Sequence, residues 1–248
     1  MPVAKLITLI VVFFCTSVIS VVTGSTSLIT VPVMIALGIE AHIAIATNML
    51  ALTFMSVGGS VPFLGRGIFQ RSRLPLSIIL TLIGSAVGAS LLLSVPVRAI
   101  RLVIAIAMIG VAMFSLLDRN KGIASTDAAS RVSVITGYLL TFALAIYGGL
   151  FSGGYVTLLT SVFVVLFGMS FLQAVATTKV VNIFSSAVAT AIFLWRGVVD
   201  TKLGIVLGIT MFIGALLGGR LTLHLSAVWL RRIFIVAVLG LAVKMLLL

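Results

Sequence analysis

Apolar runs follow one another along the whole chain. They cover roughly residues 5–23, 27–39, 41–64, 74–95 and 97–117, then 132–151, 155–167, 171–195, 203–225 and 228–248. About 20 apolar residues in a helix cross the hydrocarbon core of a bilayer, roughly 30 Å thick. Only 8% of the 248 residues are charged and 62% are hydrophobic, whereas a soluble domain needs charge on about a quarter of its residues. This chain cannot cover itself with polar groups, so lipid must be its solvent. The expectation is an all-α polytopic protein of the cell (inner) membrane, with residues 6–22 as its first span rather than a signal peptide.

A shift of 130 positions lays residues 1–118 on 131–248 without a gap. Six glycine pairs then coincide, among them Gly24 with Gly154, Gly38 with Gly168, Gly84 with Gly214 and Gly88 with Gly218. Thr30 meets Thr160, Thr47 meets Thr177 and Arg66 meets Arg196. Shared Leu and Val are expected of any two apolar segments, but shared Gly, Thr and Arg in register are not. The chain therefore reads as a duplication, with residues 119–130 as a polar linker between two membrane repeats.

The second run of each half is too short to cross as a helix and follows a Gly/Ser/Thr cluster. Short, glycine-bounded segments at matching places in two halves point to the binding site of a transporter. Two topologies compete. If the short runs are re-entrant, each half has four spans and the halves run parallel. If the short runs cross, there are five spans per half and the repeat is inverted. Counting cations on each side favours four plus four.

The formal net charge is +12, which would indicate nucleic acid if the bases shared one face. Instead they sit between runs, as Arg66, Arg71 and Arg73 do, where they orient a membrane protein and meet lipid headgroups. Four acidic residues and one cysteine, Cys15, offer no metal site, no disulfide and no cofactor site. There are only two histidines, neither placed in a long spanning run beside a serine, which leaves an intramembrane hydrolase without a base, and no ATP-binding loop is present. An enzyme is not expected, and a homo-oligomer is left open.

Two clusters could carry the chemistry. The first is Gly24-Ser25-Thr26-Ser27, answered by Ser152-Gly153-Gly154 and Thr157. Glycine admits close approach of backbone amides and hydroxyls donate hydrogen bonds, which at a half-helix N-terminus suits an oxyanion. The same small residues also serve close helix packing. The second is Thr47-Asn48 against Thr177-Thr178-Lys179 and Asn182. Lys179 lies deep in an apolar run, where an ionised side chain costs at least about 2.5 kcal/mol unless partnered. An anionic ligand would partner it; the alternative is snorkelling to the interface or pairing with a helix C-terminal carbonyl. Glu40 and His42, after Gly38, fit a membrane surface, with proton coupling as their other possible role.

The stretch Ala176-Thr-Thr-Lys-Val-Val-Asn-Ile-Phe-Ser-Ser186 and Phe193-Leu-Trp-Arg-Gly-Val-Val-Asp200 resemble the second-repeat signature of the sulfite exporter TauE/SafE family. The first half offers the cognate Ala46-Thr-Asn-Met, Phe63-Leu-Gly-Arg-Gly67 and Val31-Pro32. Where that family has a glycine triplet, this chain reads Ser25-Thr26-Ser27, and its second copy has Ser161-Val162 in place of Val-Pro. The resemblance implies a permease for sulfite, an organosulfonate or a related small anion. A negative interior drives an anion outwards, which favours export. The rival reading is a membrane subunit that anchors a partner and transports nothing.

Overall fold

The protein is described by a computed structural model over residues 2–24, 26–96, 98–100, 102, 104, 106 and 130–222. The first half contributes α1 (Val3–Thr23), the short α2 (Ser27–Ala36), α3 (Ala41–Ser60) continued by a 3₁₀ turn (Val61–Phe63), and α4 (Leu74–Leu92). The second half contributes α5 (Arg131–Leu150), the short α6 (Tyr155–Phe167), α7 (Phe171–Trp195) and α8 (Thr201–Thr222). Six of these helices are long and apolar enough to cross a membrane, and α2 and α6 are the two shorter ones. The run expected over 228–248, most of that over 97–117, and the linker as far as residue 129 lie outside the described residues.

Helix direction follows from close contacts. Gly204 packs on Leu50, Gly208 on Phe54 and Gly58 on Phe212, so α3 and α8 run parallel. Gly214 meets Phe14 and Ser17, and Gly218 meets Val18, so α1 is parallel to α8 as well. Gly84 and Gly88 do the same for α4 against Phe142 and Ile146 of α5. In contrast, Asn182 bonds to Ser56, while Lys179 lies against Gly59 and Asp200 beyond α7 bonds to Thr47. As the α3 numbers fall the α7 numbers rise, so these two helices are antiparallel.

This departs from the parallel arrangement that the cation count favoured, and the direction is the one an inverted arrangement requires. The reason is α2. A re-entrant α2 would return the chain to the side where α1 ended, and α3 would oppose α1. Here α2 carries the chain back beside the start of α1, where Lys5 Nζ donates to Leu37 O at 2.7 Å. There α3 begins, parallel to α1.

Burial separates centre from rim. Of the spanning stretches, Ala41–Phe63 is 72% buried and α7 56%, against 28% for α1 and for α5. The central pair α3 and α7 also carries Thr47, Asn48, Ser56, Thr177, Lys179, Asn182 and Ser186, all buried. Polar side chains in a membrane protein face the bundle interior because lipid offers them no partners.

Candidate functional site

Each short helix opens at a break in the centre of the bundle. α1 stops at Gly24, whose φ of 74° is left-handed, and α2 starts three residues later. α5 ends at Leu150, and Gly154 with φ 83° turns the chain into α6. Only glycine holds that backbone without strain. The helix-capping residues Thr26 and Gly154 make no side-chain bond to their own helix. The two breaks touch: Ser27 Oγ lies 2.7 Å from Ser152 Oγ. The N-terminal ends of α2 and α6, each a partial positive charge, are thus brought to one place.

A small cavity opens there, with room for about one water molecule. Gly24, Thr26 and Ser27 line it from the first break and Ser152 from the second, while Lys179 and Asn182 enter from α7. Leu52, Met55 and Val156 complete an apolar wall. Lys179 is only 2% exposed, and its Nζ donates to Ser20 O at 3.2 Å. Asn182 Nδ2 donates to Ser56 Oγ at 2.7 Å, leaving Asn182 Oδ1 buried without a partner among the described residues. Behind the wall, Asn48 Nδ2 donates to Ser27 Oγ at 2.9 Å and Thr30 donates to Asn48 Oδ1 at 2.8 Å. Thr26 Oγ1 donates to Met55 Sδ at 3.3 Å. Among the described residues no carboxylate lines the cavity.

Thr26, Ser27, Lys179 and Asn182 therefore come together, with Asn48 one bond behind them. Ser25 lies outside the described residues. Gly153 accepts a hydrogen bond from Tyr147 at its carbonyl, Gly154 supplies the turn, and Thr157 stands on the first turn of α6 close to Gly24. The remaining threonines are elsewhere. Thr47 Oγ1 accepts the Asp200 N–H at 3.0 Å, Thr178 donates to Val175 O at 3.0 Å, and the buried Thr177 hydroxyl has no partner among the described residues.

Glu40 and His42 do not line the cavity either. Glu40 caps α3 by accepting the Ile43 N–H at 3.1 Å, and His42 bridges Glu40 Oε1 at 2.9 Å and Val95 O at 3.0 Å. Partial burial pushes the Glu40 carboxyl up, but the His42 and Ile43 hydrogen bonds and the His42 charge outweigh it and hold the carboxyl below its ordinary value.

Sequence reasoning passed over Ser20, Leu52, Met55 and Ser56. A helical signal for two of them exists: Asn48, Leu52 and Ser56 step by four along one face of α3, as Lys179, Asn182 and Ser186 follow one face of α7.

The family model for sulfite exporter TauE/SafE matches residues 9–245. A probable membrane transporter protein, ORF9, of a Sinorhizobium species is 29% identical over 96% of this chain and 91% of its own length. One from Haemophilus influenzae is 25% identical over 96% of this chain and 95% of its own. The probable membrane transporter protein YfcA of Escherichia coli K12 is 28% identical over 91% of this chain and 83% of its own. No solved structure matches the chain.

Proposed function

The chain belongs to the sulfite exporter TauE/SafE family and is a multi-pass membrane transporter, and on that premise we propose that it moves a small sulfur-containing oxyanion, sulfite or an organosulfonate, outwards. One observation carries this reading: the N-terminal ends of α2 and α6, neither closed by a side-chain bond from its capping residue, meet at a cavity holding one buried cation, Lys179, and no carboxylate among the described residues. Partial positive charges, hydroxyls and an ammonium replace water around an oxyanion. They would repel a cation and leave a neutral solute beside an uncompensated charge. The cavity has room for about one water molecule, so an oxyanion enters when the breaks part, as gating around a central site requires.

The same reading takes residues 1–118 and 131–248 as two copies in opposite orientation. It is supported by the antiparallel course of α3 and α7. It is also supported by three aligned glycine pairs with left-handed backbone in both members: Gly24 and Gly154, Gly38 and Gly168, Gly67 and Gly197.

Export follows from the membrane potential. One negative charge crossing 100 mV changes its free energy by about 2.3 kcal/mol, which drives anions out of a negative interior without a coupling ion. The test is efflux from proteoliposomes loaded with sulfite or methanesulfonate under an imposed potassium diffusion potential. Saturable efflux that follows the potential is expected. Flux no greater than from empty liposomes, for both anions and folded protein, would remove the assignment.

A further inference from the structure

Resting on that reading, we infer that the cavity selects its substrate by protonation state: it takes a monoanion, best one that brings its own donor hydrogen, of the hydrogensulfite kind, and rejects the sulfite dianion. Two features of the lining, both at α7, define what a ligand must supply.

The first is charge. Among the described residues Lys179 is the one ionisable group lining the cavity, and no acid stands against it. Its described hydrogen bond goes to a neutral carbonyl, Ser20 O. In a low-dielectric interior a buried cation is compensated by one negative charge. A dianion would restore an uncompensated charge of the opposite sign, met by the partial charges of two helix ends and by neutral hydroxyls but by no second cation among the described residues.

The second is a hydrogen. Asn182 is 5% exposed and lines the cavity. Its Nδ2 is engaged by Ser56, which leaves Oδ1 as a buried acceptor to which nothing donates among the described residues. An unsatisfied buried acceptor is costly, and a fully deprotonated oxyanion makes it worse by placing lone pairs against lone pairs. An oxyanion bearing one O–H meets both demands: its charge faces the ammonium and its proton faces Asn182.

The experiment compares two anions in the same proteoliposomes at a fixed potential while pH is raised through the neutral range. Across that range hydrogensulfite gives way to sulfite, whereas methanesulfonate stays a monoanion. Sulfite is expected to lose apparent affinity about tenfold per pH unit once the monoanion is the minority form, because only the competent fraction binds. Methanesulfonate, which brings the single charge but no donor hydrogen, is expected to bind with a weaker apparent affinity that stays level across the range. The variant N182L should raise the apparent KM of sulfite several-fold and lower that of methanesulfonate, whose oxygens carry no hydrogen for Asn182 Oδ1. Sulfite flux that holds or rises with pH beside level methanesulfonate flux would show that the dianion is carried, overturning the inference and leaving the transport assignment intact. Parallel loss for both anions would place the titration in the protein and overturn it equally. No flux for either anion would remove the transport assignment and this inference with it.

Discussion

Lys179 is where burial and function oppose each other. A cation this deep destabilises the empty fold, since its desolvation is offset by a single carbonyl. Replacing it with methionine keeps the bulk and removes the charge. Lys179→Met should therefore leave the unfolding temperature in detergent unchanged or higher, while raising the apparent KM for anion about 10- to 100-fold, the scale of a lost charge-assisted hydrogen bond. Equal loss of stability and flux would make Lys179 a packing residue instead. Glu40 gives a contrasting case at the rim. Its carboxyl is held below the ordinary value in the fold, so its contribution to stability is present above the unfolded carboxylate range and is lost as pH falls through the lowered value. Comparing the chain with Glu40→Gln in thermal unfolding should show a gap at neutral pH that closes in acid. A gap that widens in acid would contradict the assigned sign. Of these residues the sequence singled out Lys179 because a charge inside an apolar run is visible in one dimension. Ser56, buried and apparently ordinary, became part of the site only through its contact with Asn182 across two helices.

At the scale of elements, small residues set how closely the helices approach. A methyl group added at Gly88 would collide with Ile146 O, and one at Gly218 with Val18 O; both are backbone atoms that cannot rotate away. At Gly59 the nearest neighbours of an added methyl are side-chain atoms 3.7 Å off, on Ala215 and Lys179. Gly88→Ala should lower stability by about 1–3 kcal/mol, as overpacking does, whereas Gly59→Ala should be close to neutral. Unfolding of both variants in detergent checks this, and equal effects would mean that the α4–α5 contact is looser than described. Hydropathy located most elements closely. The runs at 155–167 and 171–195 are the helices Tyr155–Phe167 and Phe171–Trp195, because Gly154, Gly168 and the Ser170 cap punctuate them. The small-residue spacing at Gly84/Gly88 and Gly214/Gly218 was legible too. Its partners were not, because a glycine in sequence gives no sign of which helix lies against it.

For the whole molecule, direction is the property that hydropathy leaves blank, since an apolar helix reads alike from either end. Counting cations on each side was the available substitute, and it favoured parallel halves. The ladder Asn182–Ser56, Lys179–Gly59 and Asp200–Thr47 sets α7 antiparallel to α3, the direction that the proposed inverted copies require. The consequence concerns two residues that the 130-position shift makes equivalent. Arg66 follows α3 and its 3₁₀ turn, Arg196 follows α7, and both are exposed. Antiparallel α3 and α7 put these arginines on opposite faces of the membrane; parallel halves would put them on the same face. Single cysteines at the two positions, Arg66→Cys and Arg196→Cys, in a chain whose own Cys15 is replaced by alanine, test this with a membrane-impermeant thiol reagent added to sealed vesicles. One cysteine should react from outside and the other only after the membrane is opened. Labelling of both from the same side would sink the inverted arrangement.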